Sequence, residues 1–294
     1  MSDERVDKQW REKGLSAYST DAIIGTLNHY GVMLDEAGVK EAARDATPME
    51  LAQGWRVAWK GKGQFETFPY AAANELFERF FPERPTPRKV ASALVEATVV
   101  ALKLVDGGQA ELMPLLDRAD GLLAGLPPEG DRRDQFVSEL AGVIDPWAKA
   151  FGDLPKLLAK AAKGDEALRF ATIHETLFPE RKGCATAVVR ATLGERAPAV
   201  ASLRDWATEA SRDVFARYHA LDALFQLEAW DEVKVAGLSV FDAAAAGEKW
   251  HLADSAAHLL GHLVDTTEVD IPFAQEVEKR LSLAHEKTGG HHHH

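Results

Sequence analysis

The sequence predicts an all-α protein of stacked antiparallel helical hairpins, an α-solenoid or helical-repeat-like architecture. Three observations carry this. Apolar residues recur at three- and four-residue spacing along most of the 294 residues, the period of a helix with one buried face. Alternating β-branched runs bounded by hairpin turns are hard to find. Capping residues stand just ahead of the periodic runs, and glycines close them.

Taken in order, Ser19-Thr20-Asp21 precedes "AIIGTLNHYG" and supplies a capping hydroxyl. Thr47-Pro48 opens "MELAQGWRVAW" and Thr86-Pro87 opens "RKVASALVEATVVALKLVDGG", each with Pro at the first helical position. Gly107-Gly108, Gly164 and Gly247 read as helix stops. On these helices Trp55, Phe77, Leu94, Leu102, Phe215 and Leu260 fall on the apolar side and are expected in the core. Trp55 and Trp59, one turn apart and followed by Phe65, Phe68, Tyr70 and Phe77, read as a core joining neighbouring helices.

Two stretches break the rhythm. "KGKGQFETFP" at 60–69 reads as a connecting loop, since it lacks the Gly-Lys-Ser/Thr ending and preceding strand of a phosphate loop. "GLPPEGD" at 125–131 divides the chain into an N-terminal helical region, 1–128, and a helical-repeat-like region, 129–288. "GGHHHH" at 289–294 reads as an expression tag, so its histidines enter no site. "LFERFFPER" at 76–84 and "HETLFPER" at 174–181 both end a helix on Phe-Pro-Glu-Arg. This echo suggests repeated hairpins.

Composition excludes several functions. The net charge of −12 argues against coating nucleic acid, whose affinity comes largely from phosphate neutralisation. The longest apolar stretch, 90–105, contains Glu96 and Lys103 and is shorter than the roughly 20 residues of a spanning helix. It reads as a core helix. With a polar opening and one cysteine, Cys184, the expected location is the cytoplasm. Cys184 itself reads as a small buried residue. No nucleophile elbow, cysteine–histidine signature or dinucleotide fingerprint is present.

The chemistry-bearing residues concentrate in "EKWHLADSAAHLLGHLVD" at 248–265. At about 100° per residue, His251, Asp254, His258, His262 and Asp265 fall within an arc of roughly 80°, opposite the leucines. They face solvent or a groove. His258 and His262, one turn apart, could share a metal ion with Asp254, while His251 lies about 16 Å from His262 along the axis. A complete site needs ligands from another helix. "HLLGH" lacks the glutamate of the zinc-protease signature, and "EKWH" matches one Glu-x-x-His element of a di-iron bundle without a second copy. His174-Glu175 are adjacent and so point about 100° apart, while His219 and Asp222 are spaced for an ion pair.

The stretch 220–265 resembles the tetratricopeptide family: Trp230-Asp231-Glu232 opens a helix, Val233 and Val240 take apolar positions, Gly247-Glu248 breaks it, and Leu260-Gly261 comes late in the next. The resemblance implies helix pairs stacked into a superhelix that binds peptides or proteins on its inner face. The stretch departs from the pattern at Leu221, where glycine is wanted, and at Gly237, where an aromatic is usual. The resulting expectation is a non-enzymatic helical-repeat protein without a cofactor. It would bind a protein or peptide, suited by charge to be basic, through His251, Asp254, His258, His262 and Asp265, as an adaptor, regulator or immunity-type protein. The alternative is a helical metal-binding protein or metalloenzyme using the same row.

Overall fold

A computed structural model describes residues 5–127 and 130–289. The expected break at 125–131 contains Pro128 and Glu129, which with tag residues 290–294 lie outside the described residues. Among the described residues there is no strand. The helices are α1 (Trp10–Lys13), α2 (Thr20–His29), α3 (Glu36–Ala42), α4 (Pro48–Ala58), α5 (Phe68–Phe80), α6 (Pro87–Val105), α7 (Met113–Ala124), α8 (Asp131–Ile144), α9 (Ala148–Lys160), α10 (Gly164–Leu177), α11 (Cys184–Thr192), α12 (Arg196–Thr208), α13 (Val214–Gln226), α14 (Trp230–Ala246), α15 (Trp250–Thr266) and α16 (Ile271–Thr288). From α9 to α16 successive helices pack on one another, as helical-repeat folds do, and α4 packs on α5. None is long and apolar enough to cross a membrane. Two compact units result, Met1–Val90 with Gly125–Phe136, and Ala91–Ala124 with Val137–His294.

The first unit is held by large rings. Trp10, Trp55, Phe65, Phe68 and Phe77 are buried together with Ile23, Leu27 and Leu76. Helix starts follow the caps: Ser19 accepts from the Ala22 N–H, and Thr47 with Glu50 forms a capping box that satisfies two orphan donors. Trp59 leaves the helical turn it was expected to share with Trp55. Helix α4 stops at Ala58, and the indole N–H of Trp59 donates to the Phe65 carbonyl at 3.1 Å while its ring stacks on Phe68. A Cβ on Gly61 would come within 2.5 Å of that indole. The 60–69 loop therefore wraps a tryptophan.

The second unit is built from repeated corners. Hairpins α9/α10, α11/α12 and α13/α14 each turn through a residue with positive φ: Ala162 (58°), Gly194 (114°) and Glu228 (55°). Each corner closes with the same bond, from Lys163 N–H to Leu158 C=O, from Glu195 N–H to Arg190 C=O, and from Ala229 N–H to Leu224 C=O, at 2.9, 2.9 and 3.1 Å. These 6→1 bonds satisfy carbonyls at the helix end and offset the left-handed penalty of about 1–2 kcal/mol for residues other than glycine. The corner recurs after 32 and then 34 residues (194 − 162 and 228 − 194). Between α14 and α15 it recurs once more at Glu248 (55°).

One helix stop differs from expectation: Gly164 begins α10. Gly247 does cap α14, at φ −89°, and the left-handed positions at these two corners belong to Ala162 and Glu248. Gly237 marks a close approach instead: a Cβ there would meet Leu260 Cδ2 at 2.5 Å. An aromatic at that position would separate α14 from α15.

Of the expected core, Trp55, Phe77, Leu94 and Leu260 are buried, Leu102 is half-buried, and Phe215 is 47% exposed. Helix α13 is rotated by Arg217, which is buried and donates to the Ala207 and Ser239 carbonyls at 2.9 and 3.1 Å. Two residues away on a helix is about 200°, so Phe215 is turned outward, where Lys249 covers its ring at 4.6 Å.

Candidate metal centre

Helix α15 carries the expected row. Leu252, Ala253, Ala256, Ala257, Leu260 and Leu263 bury its apolar face, while His251, His258, His262 and Asp265 are exposed and Asp254 is half-buried. Residue Glu248 sits in the left-handed corner, before α15 begins at Trp250. The Glu-x-x-His element is thus not displayed on one helix face.

Helix α16 supplies the partner the row required. Asp270 caps it by accepting from the Phe273 N–H at 2.8 Å. Arg280 then ties it to α14: the guanidinium donates to Asp242 at 2.9 Å and to Glu276 on its own helix, over the ring of Phe241. Gly261 lets the helices close, since a Cβ there would touch Leu281 Cδ1 at 3.3 Å. One turn beyond Leu281, this register brings His285 beside Asp254.

The ligand atoms of Asp254, His258 and His285 lie within 4.8 Å of one another. His285 Nε2 is 3.5 Å from Asp254 Oδ1, and the two imidazole centroids are 5.3 Å apart. Tetrahedral zinc with bonds near 2.0–2.1 Å holds its ligands about 3.3 Å apart, so small side-chain rotations would close this group on an ion. His258 Nδ1 is 2.9 Å from the Asp254 carbonyl oxygen and 3.6 Å from its Oδ1. With the proton on Nδ1 donated to that carbonyl, Nε2 carries the free lone pair, the arrangement in which ligating histidines are usually held. Asp254 Oδ1 is buried and lacks a hydrogen-bond partner.

His262 is outside this group, although the sequence placed it with His258 and Asp254. Its ring lies against Phe225 of α13 at 5.3 Å, on the other flank of α15. His251 and Asp265 stay exposed at the two ends of the row. His285 is the residue that sequence reasoning misses. The sequence shows it as a histidine one turn after the apolar Leu281, and only the α15–α16 register shows what it meets. His174, Cys184, His219 and Asp222 converge elsewhere, on a cleft lined by α9, α10, α11 and α13.

Compared with known proteins, the chain matches no family model, and neither the curated proteins nor the solved structures gave a significant match.

Proposed function

We propose that this helical-repeat-like protein captures a divalent transition metal, zinc by ligand type, at Asp254, His258 and His285. The observation that carries the reading is the buried Asp254 Oδ1, which has no hydrogen bond and lies 3.5 and 3.6 Å from imidazole nitrogens on two helices. A carboxylate oxygen removed from water without a hydrogen bond is costly, and a cation held between it and the two imidazoles offsets that cost. Two imidazoles and a carboxylate leave a fourth tetrahedral position for water or for a group on another molecule. Equilibrium dialysis of the untagged chain against zinc tests the proposal. One ion per chain is expected for the wild type, with at least tenfold weaker binding for His285→Gln and for Asp254→Asn. Wild-type affinity in both variants, or no retained zinc in the wild type, overturns it.

The exposed members of the row favour a second reading, a surface for a basic protein or peptide. His251 and Asp265 lie outside the three-residue group, and the chain's net charge of −12 complements such a partner. The one-repeat resemblance to tetratricopeptide proteins supports the same reading. A partner co-purifying with wild-type untagged protein and lost from His251→Ala/Asp265→Ala, with zinc uptake unchanged, would assign the row to that role.

A further inference from the structure

A second polar group occupies the cleft where Lys156, His174, Arg181, Cys184, His219 and Asp222 meet around a cavity of about 50 Å³. His174 is only 6% exposed, its ring lies between Phe151 and Phe178 at 5.4 and 5.0 Å, and its Nδ1 has no partner. Arg181 closes a short 3-10 turn, Pro179–Arg181, and lies over the Phe178 ring at 5.6 Å. Its Nε is buried without a partner, and it forms no ion pair among the described residues.

The two Phe-Pro-Glu-Arg echoes make this lack specific. In both, a phenylalanine ends the helix, the arginine N–H bonds back to that phenylalanine's carbonyl at 3.0 or 2.9 Å, and the guanidinium lies over its ring. At the first turn Arg84 spends its donors on the Ala43 and Arg44 carbonyls, at 3.1 and 2.7 Å. At the second turn Arg181 meets no carbonyl and faces the cleft.

Helix α11 begins at that cleft. Its N-cap, Gly183, is left-handed (φ 85°) and has no side chain to cap the first turn. Glu175 accepts the Thr186 N–H at 2.7 Å, while Cys184 and Ala185 line the cavity at the positive end of the helix. The remaining groups partly offset one another. Lys156 donates to the Gln226 carbonyl at 2.5 Å, and Asp222, raised by burial, accepts from the Gln226 amide at 2.9 Å. Burial and the nearby Arg181 hold both His174 and His219 down to about 4. They are neutral imidazoles at pH 7, and each offers one N–H donor.

A cation here would face a guanidinium and the positive end of a helix. Burial pushes the Cys184 thiol up to about 12, so it provides no thiolate. An apolar guest would leave the arginine and imidazole donors unmet. An oxyanion meets all of them.

We propose that this cleft binds one small oxyanion group, a phosphate or carboxylate, held by Arg181, the imidazoles of His174 and His219, and the N–H groups of Cys184 and Ala185 at the start of α11. The proposal is independent of the metal reading. Full-length untagged protein is titrated with inorganic phosphate and, separately, with acetate, and both the heat and the amide resonances are followed at pH 7. Saturable binding with the largest shifts at Cys184 and Ala185 is expected, which needs no variant. Arg181→Gln and His174→Leu should each weaken it at least tenfold with helicity retained, Arg181→Lys should keep part of it, and His258→Gln should leave it unchanged. Preference for phosphate over acetate assigns the group to phosphate, and the reverse to carboxylate. No saturation by either anion at millimolar concentration, or shifts confined to other residues, overturns the proposal.

Discussion

The same four residues, Phe-Pro-Glu-Arg, end a helix at 81–84 and at 178–181, and they finish in opposite states. At the first turn Arg84 stitches α3 to the end of α5 through two backbone carbonyls. At the second, Arg181 keeps its ring contact and lacks the carbonyls. Four residues before the closing phenylalanine, the first turn has Phe77 and the second His174, both buried. A local motif therefore sets the arginine's geometry, and the helix packed opposite decides whether its donors serve the fold or stay free for a ligand.

The largest way to break this comparison is acid. A free histidine titrates near 6.5, and His174 is held down to about 4 mainly by burial, with Arg181 and His219 adding repulsion. Between those values the unfolded chain binds a proton that the native chain does not, so stability rises with pH across this window and is lost as pH falls through it. At about 1.4 kcal/mol per pH unit, His174 alone accounts for about 3 kcal/mol. His219 acts in the same direction, while Asp222, raised by burial, opposes both. His174→Phe, which copies the first turn, should remove the His174 part of the loss in urea titrations between pH 7 and 4 and leave the opposed parts of His219 and Asp222. An unchanged acid profile would show that His174 is not buried as described.

Next come the arginines themselves. Arg84→Ala removes two charge-assisted bonds to carbonyls and should cost about 2–3 kcal/mol in denaturant midpoint analysis. Arg181→Ala should change stability by less than about 1 kcal/mol, because no protein partner loses a bond. Equal losses at the two turns would erase the distinction. An effect between those of the two arginine substitutions is expected at the start of α11, just past the second turn: Gly183→Ala must hold φ at 85° and place a Cβ 2.6 Å from the Trp206 ring. We expect a loss of about 1–3 kcal/mol, read as a lowered thermal midpoint.

Legibility in the sequence depends on which interactions are local. Ser19, Thr47 and Thr86 announce their helices because a cap acts within three residues. The exposed row on α15 is legible from helical periodicity, and the need for a ligand from another helix comes from its spacing. His285 is not legible, because the close packing of Gly261 on Leu281 sets the α15–α16 register and no pattern within either helix encodes it. His174 with Glu175, and His219 with Asp222, stand in the sequence as pairs on their own helices, whereas the cleft joins His219 and Asp222 to His174, Lys156 and Cys184 from three other helices. The left-handed corners at Ala162, Glu228 and Glu248 escape for a related reason. Glycine is the usual signal for that conformation, and here the 6→1 bonds hold it without glycine.

The smallest expected effect serves as the control outside both turns. In the metal-free chain, Asp254→Ala with His258→Ala should shift stability by less than about 0.5 kcal/mol, since His258 and His285 are exposed and their contacts to Asp254, at 3.6 and 3.5 Å, are screened by solvent. Zinc separates the two states. If the three residues hold the ion, saturating zinc raises the wild-type midpoint and leaves the double variant where it was, because only a ligand bound to the native state stabilises it. The acid profile governed by His174 should be the same in both proteins. A large loss of stability in the metal-free double variant would instead make Asp254 a structural anchor between α15 and α16, and an equal zinc shift in both proteins would move the ion to another site.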